Sequence, residues 1–79
     1  MPNFVFDWTV KALRKLEDNN VSQREYEQIV RKAKDIETSR SSGRPCCRGR
    51  IGHKVLFCVF EYIDEWRIRP INAFWIHED

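Results

Sequence analysis

Hydrophobic positions in the first part of the chain recur at helical spacing. An apolar stripe with a period of three begins at position 10 and stops before Asn19-Asn20. This pattern predicts an amphipathic helix that ends there, because Asn tolerates the left-handed conformation. Asp7 or Thr9 can cap its first turn, and the apolar piece Phe4-Val5-Phe6 before it fits an edge strand. The stripe consists of Val10, Leu13 and Leu16.

A second helix is predicted over residues 22 to 36. Ser22 and Glu25 have the spacing of a capping box, and Val21 before the cap can pack onto Tyr26. Apolar residues then recur at the intervals of one helix face, at Tyr26, Ile29, Val30 and Ala33.

The period changes to two in the second half of the chain. The polar, Gly- and Pro-containing segment at 38–45 predicts a mobile loop or a frayed strand edge. After it, strands are predicted at 46–51 and 54–62 around a Gly52-His53 turn. A third strand follows at 66–71.

Two features refine these strands. The run from Val55 to Phe60 is apolar at every position, which indicates a central strand with cover on both faces. Pro70 has no backbone N–H, so its strand lies at an edge or ends there, and residues 74–76 form a last short strand or lie against the sheet. The pattern predicts an α+β fold in a single domain, residues 1–79, with two N-terminal helices on a three- to four-stranded antiparallel sheet.

Charge is distributed unevenly. The 79 residues have room for one core, and a net charge of +2 does not by itself indicate a nucleic-acid binder. Residues 38–60, however, contain no acid and five bases, namely Arg40, Arg44, Arg48, Arg50 and Lys54. A basic surface in the second half of the chain is therefore expected.

The start of the chain, its apolar stretches and its cysteines indicate where the protein acts and whether it binds a metal. No basic segment followed by an apolar run opens the chain and no long apolar stretch occurs, so we expect a cytoplasmic protein without a membrane span. Cys46, Cys47 and Cys58 do not have the spacing of a disulfide framework or a zinc site. We therefore predict reduced thiols, no metal and no cofactor.

Arginines at alternate strand positions are the candidate binding groups. Residues i and i+2 of a strand point to the same face, so Arg48 pairs with Arg50 and Arg67 with Arg69. If both strands flank the central one in matching register, these four guanidiniums, with Lys54, form a surface for RNA phosphates. Bases could stack on Phe74, Trp75 or Tyr62. The alternative is that the arginines pair with Glu61, Asp64 and Glu65 on an ordinary solvated face.

Several segments together resemble the BrnT toxins, a family within the RelE-like group of small bacterial ribonuclease toxins. The segments are Phe4-Val5-Phe6-Asp7-Trp8, the basic helix with Lys11, Val21-Ser22, Gly49-Arg50, the strand at 55–60 and Arg67-Ile68-Arg69-Pro70-Ile71-Asn72-Ala73. The resemblance implies a RelE-like fold, inhibition of translation by RNA cleavage and neutralisation by a cognate antitoxin protein. The chain differs at Asp18-Asn19-Asn20, where such toxins commonly have Lys-His-Gly, and these 79 residues include no basic C-terminal helix.

Cleavage of this kind would need no metal, because a ribose 2′-hydroxyl attacks the adjacent phosphate with general acid and base assistance. His53, Glu61 and His77 are the candidates for proton transfer. RNA or the ribosome is the predicted target, and the sequence leaves open whether the chain forms a homo-oligomer. The second hypothesis is a non-catalytic α+β module that binds a protein partner through the loop at 38–45 and an exposed aromatic C-terminus.

Overall fold

The computed structural model describes residues 4–76. Its elements are β1 (Val5–Phe6), α1 (Val10–Asp18), α2 (Gln23–Lys32), β2 (Glu37–Thr38), β3 (Pro45–Ile51), β4 (Lys54–Tyr62) and β5 (Arg67–Ile76). The strands form one sheet in the order β1-β5-β4-β3-β2.

The predicted α+β class with two helices is confirmed, but the sheet is not three- to four-stranded and antiparallel. It has five strands, and β1 runs parallel to β5, whereas the other neighbours are antiparallel. The edge strand predicted before the first helix is present as β1. β2 was not predicted, because two residues are too few to establish an alternation of apolar and polar side chains.

The first helix begins as predicted and buries a different face. Thr9 rather than Asp7 caps α1, since its hydroxyl accepts a 3.1 Å hydrogen bond from the amide of Ala12. The predicted stripe is confirmed only at Leu16, which is buried together with Ala12, whereas Val10 and Leu13 are 67% and 37% exposed. A small Ala beside β5 lets the helix approach the sheet closely, and periodicity alone gives Ala little weight.

The end of the first helix and the start of the second are confirmed. Asn20, just beyond α1, has a positive φ of 58°. Ser22 and Glu25 form both hydrogen bonds of the capping box, at 3.0 and 2.9 Å. The second helix stops at Lys32 rather than at residue 36, because Ala33 already has an extended ψ of 128°. This change of direction leads the chain to β2.

The segment at 38–45, predicted as a loop or a frayed strand edge, is a hairpin connection whose two ends belong to β2 and β3. The amide of Ser39 donates to the carbonyl of Arg44 at 2.8 Å, and the amide of Gly43 donates back to Ser39 at 2.8 Å. Gly43 has a φ of 71°, which a residue with a Cβ rarely adopts. The hairpin joins β2 to β3 and brings Arg40 and Arg44 next to the sheet.

The last strand is longer than predicted. β5 is continuous from residue 67 to 76 and includes the segment that we expected to form a separate strand. Its pairing with β4 shifts by one residue. Val59 lies opposite Asn72, whereas the next residue, Phe60, lies opposite Pro70. Ile71 is therefore the extra residue of a bulge in β5. Pro70 is accommodated beside this bulge, beyond the two residues that pair with β1.

Both helices cover the same face of the sheet, and their buried side chains form one cluster with it. The helices cover only one face of the central strand, yet the prediction that both of its faces are covered agrees with its burial, since Val55 and Val59 on the other face are 7% and 8% exposed. Among residues 4–76, neither helix is long and apolar enough to cross a membrane. The cluster consists of Phe4, Leu16, Val21, Tyr26, Ile29, Val30, Cys47, Leu56, Cys58, Phe60, Ile68 and Ala73.

Candidate nucleic-acid interface

The face of the sheet turned away from the helices, called the open face below, carries most of the predicted binding residues. Ile68 belongs to the helix-side core, so its neighbours Arg67 and Arg69 point to the open face. In the same way, Cys47 is buried under the helices, so its neighbour Arg48 points to the open face. The side chains of the open face are Cys46, Arg48 and Arg50 of β3, Val55, Phe57, Val59 and Glu61 of β4, and Arg67, Arg69, Phe74 and Ile76 of β5.

The two arginine pairs share this face and lie towards opposite ends of it. Arg48 lies opposite Phe57 of β4, whereas Arg69 lies opposite Glu61. Phe57 and Glu61 are four positions apart in β4, which is about 13 Å along the strand. The pairs therefore cannot hold one phosphate together, but an extended chain of several phosphates can contact both.

Arg69 has carboxylate partners, as the alternative interpretation of the arginines predicted. Its guanidinium lies 3.3 Å from Asp7 and 3.4 Å from Glu61, and the side chains of all three residues are 39–46% exposed. Exposed pairs of this kind contribute about 0.2–1 kcal/mol each and weaken in salt. Arg69 is thus oriented by two acids that hold it only weakly.

Three predicted binding residues lie on the opposite face. The ammonium group of Lys54 lies 5.3 Å from the ring centre of Trp75, on the helix side of the sheet. Trp75 also donates a 3.1 Å hydrogen bond from its indole nitrogen to the carbonyl of Asn20. The ring of Tyr62 contacts Phe4 and Phe60. Lys54, Trp75 and Tyr62 therefore do not join the arginines.

An aromatic pair lies at the centre of the open face. Phe57 and Phe74 are opposite each other on neighbouring strands, and their rings stack with centres 5.1 Å apart and planes at 29°. Arg48 continues the same row on β3. A groove of about 560 Å³, called the aromatic groove below, is lined by these three residues, by Arg40 and Ser41 of the β2–β3 hairpin and by the acidic Glu37 of β2.

The two candidates for proton transfer that the structure describes, His53 and Glu61, lie far apart. Glu61 lies on the open face beside Arg69, with 3.4 Å between their polar atoms. His53 is exposed in the β3–β4 turn, eight residues away along the same strand, which corresponds to about 25 Å. His77 lies outside the described residues. Glu61 is therefore the one candidate, among residues 4–76, that adjoins a predicted phosphate-binding arginine.

The buried titratable groups belong to the core and not to this interface. Burial raises the pKa of the Tyr26 hydroxyl well above its ordinary value. A hydrogen bond to Cys47, together with burial, raises the pKa of Cys58. All three thiols are free and buried, and within the part of the chain that the structure describes no cluster of His, Cys, Asp and Glu could hold a metal ion.

Sequence reasoning overlooked two residues of the aromatic groove. Phe57 was assigned to the central strand without a face, and Arg40 was counted only as part of a basic stretch. The alternation of β4 places Phe57 on the same face as Glu61. That Phe57 lies opposite Phe74 follows only from the register of β4 and β5 beyond the bulge. Arg40 reaches the groove only because the hairpin folds next to the open face.

In comparisons with protein families, with curated proteins and with solved structures, this chain has no match. The resemblance to the BrnT toxins is therefore carried by the residues of this sequence alone, and what it implies about function enters as a proposal.

Proposed function

We propose that this protein binds single-stranded RNA on the open face of its sheet and acts as a toxin of the BrnT and RelE-like kind. The observation that carries the proposal is the stacked Phe57–Phe74 pair with Arg40 and Arg48 around one groove. Aromatic rings accept unpaired bases of any sequence, and arginines bind the phosphates between them. Each stacked base contributes about 1–3 kcal/mol.

The open face fits a single strand better than a duplex. Its arginines are spread along the sheet, and the ring of Phe74 is 40% exposed, whereas Phe57 behind it is half-buried. A ring can stack only on a base that is not already stacked and paired on both sides. Binding should therefore be strong for unstructured RNA, weak for a duplex, and dependent on salt.

Cleavage is the part of the proposal that the resemblance supplies. A 2′-hydroxyl would attack the adjacent phosphate and give its proton to Glu61, while the bond from phosphorus to the 5′-oxygen of the next nucleotide breaks and that oxygen takes a proton from water. Arginines of the open face would stabilise the added negative charge. In this scheme translation stops because messenger RNA is cut, and a cognate antitoxin protein prevents the damage. Glu61→Gln should then abolish cleavage without weakening RNA binding.

The binding experiment compares two exposed aromatic residues. Phe74→Leu keeps apolar bulk in the aromatic groove and removes the ring, and Trp66→Leu is the control because Trp66 is 65% exposed and lies outside the groove. We expect Phe74→Leu to weaken binding of a fluorescent, unstructured oligoribonucleotide by about 5- to 100-fold. Trp66→Leu should bind like wild type. Equal binding by both variants, each shown to be folded by circular dichroism, would refute the proposed surface.

The activity experiment measures growth and bulk translation after induction. Wild type should arrest growth, and the variant with Arg48, Arg50, Arg67 and Arg69 changed to Ala should not. Arg14→Ala with Arg24→Ala serves as the control, since both residues are exposed helix positions away from the open face. Growth that continues with abundant, folded wild type would reject the toxin function.

A second candidate function has an observation of its own. Apolar residues are exposed at the end of the sheet where β4 turns into β5, with Tyr62, Ile63 and Trp66 at 49%, 39% and 65% and the nearby Val5 at 58%. Such a group fits a protein-binding module without catalysis. This function predicts that wild type neither arrests growth nor binds RNA.

A further inference from the structure

A second cleft, of about 360 Å³, lies between the first helix and the last strand. Thr9, Lys11, Ala12 and Lys15 line it from α1, and Pro70 and Ile71 line it from β5 at the bulge. Arg44, at the end of the β2–β3 hairpin, and Arg69 complete the wall. We call this space the α1 cleft, and it shares Arg69 with the open face.

Four cationic side chains from distant parts of the sequence meet at the α1 cleft. Lys11 and Lys15 are four residues apart and lie on the same side of α1. Arg44 and Arg69 come from the hairpin and from β5. No acidic side chain is part of the lining. Like charges placed together repel each other, so an anion bound in the cleft would relieve this repulsion.

Carboxylates compensate one of these four charges. Arg69 pairs with Asp7 and Glu61. Among residues 4–76, Lys11, Lys15 and Arg44 form no salt bridge. Three positive charges of the α1 cleft therefore have no carboxylate partner in the described part of the chain.

The start of α1 adds to the same potential. Its first turn contains no acidic residue, although an acid there would complement the positive end of the helix dipole. Thr9 and Ala12, which bound this first turn, both line the cleft. The amide of Ala12 is already satisfied by Thr9, so the turn contributes mainly its electrostatic field and the charge of Lys11.

We propose that the α1 cleft binds a phosphate group, and that this group is a backbone phosphate of the RNA strand whose bases lie in the aromatic groove. The identity of the phosphate carrier rests on the proposed function, whereas the phosphate chemistry rests on the cleft itself. Arg69 links the two sites, because its side chain lies on the open face and also lines the cleft. An RNA strand that crosses the open face past Glu61 reaches the cleft at this residue.

The first arm of the test uses inorganic phosphate as the probe. In ¹⁵N-resolved spectra of the full chain, phosphate should shift the amide signals of Lys11, Ala12 and Ile71 until they saturate, and sodium chloride of equal ionic strength should not. The double variant Lys11→Gln, Lys15→Gln should lose this response, and Arg24→Gln should keep it. Equal shifts at Ser22 to Glu25, the start of α2, would show an adventitious ion only and overturn the site.

The second arm uses the unstructured oligoribonucleotide over a range of salt concentrations. Loss of one phosphate contact lowers the slope of log affinity against log salt by about 0.7 for a single strand. We expect this decrease for Lys11→Gln, Lys15→Gln. Phe74→Leu should lower the affinity and leave the slope unchanged, because a stacked base releases no counterion.

The outcomes separate the two proposals. RNA binding by wild type with an unchanged slope in the double lysine variant would overturn the α1 cleft and leave the proposed function standing. Saturable phosphate binding at the cleft without any RNA binding would overturn both the proposed function and RNA as the carrier, and would assign the site to a free phosphate or a nucleotide.

Discussion

The hydroxyl group of Tyr26 donates a 2.7 Å hydrogen bond to the backbone carbonyl of Val59. This bond ties α2 to the central strand next to the point where the pairing of β4 and β5 changes register. The ring of Tyr26 is fully buried and packs edge-on against Trp8 and Phe6. One polar contact thus joins α2 to the sheet inside a core that is otherwise apolar.

Removal of this hydroxyl should lower the stability of the fold. Tyr26→Phe keeps the ring and leaves the Val59 carbonyl without this donor in a buried place, so we expect a loss of about 1–3 kcal/mol. Tyr62→Phe, at a position 49% exposed, should cost far less. Urea unfolding followed by circular dichroism measures both. An unaltered midpoint in Tyr26→Phe would show that the bond does not stabilise the fold.

The same contact predicts a dependence of stability on alkaline pH. The pKa of Tyr26 is raised above its ordinary value of 10.0 because burial disfavours the phenolate. The unfolded chain therefore releases the Tyr26 proton above pH 10 while the folded chain retains it, and stability is lost as pH rises. At pH 11 the advantage of wild type over Tyr26→Phe should be smaller by about 1.4 kcal/mol than at pH 8. A constant advantage between these pH values would contradict the assignment.

A close approach between α2 and β3 depends on Gly49. A Cβ at this position would lie 2.8 Å from the Cδ1 atom of Ile29. Gly49→Ala should therefore destabilise the protein by about 1–3 kcal/mol through overpacking. Ile29→Val removes that methyl group, and the double variant should be more stable than the sum of the two single effects implies. Additive losses in urea unfolding would show that the contact does not cause the effect.

The acids beside Arg69 should oppose RNA binding. Asp7→Asn with Glu61→Gln removes two exposed carboxylates and leaves the guanidinium for phosphate contacts, so affinity for the oligoribonucleotide should rise by up to about 5-fold at low salt. The gain should disappear at high salt, because exposed charges are screened. Glu17→Gln, at an exposed position of α1, is the control. A loss of affinity in the double variant would mean that the acids orient Arg69 for binding.

Local signals in the sequence were sufficient for several elements. The capping box at Ser22, the turn at Gly52-His53 and the long strand from 54 to 62 are all present where the pattern predicted them. Each depends on residues that are close together in the chain. The alternation Arg67-Ile68-Arg69 likewise predicted that both arginines lie on one face, and burial of Ile68 confirms this.

Features that depend on contacts between distant segments were predicted less well. The buried face of α1 follows from how closely Ala12 can approach β5, and the end of α2 follows from the path to β2. The single long β5 depends on the bulge beside Pro70, which the sequence of the strand does not specify without its partner. In each case a neighbouring element decided between local alternatives of similar energy.

The sequence by itself determined the presence of both helices, the strands β3 and β4 and the concentration of positive charge, because caps, turns and periodicity act over a few residues. Only the tertiary structure decided which side chains share a surface. The register between β3, β4 and β5 places Arg48, Phe57 and Phe74 in one row and sends Lys54 to the other face. A shift by one residue reverses the face of every side chain in a strand, and packing against the helices fixes that register.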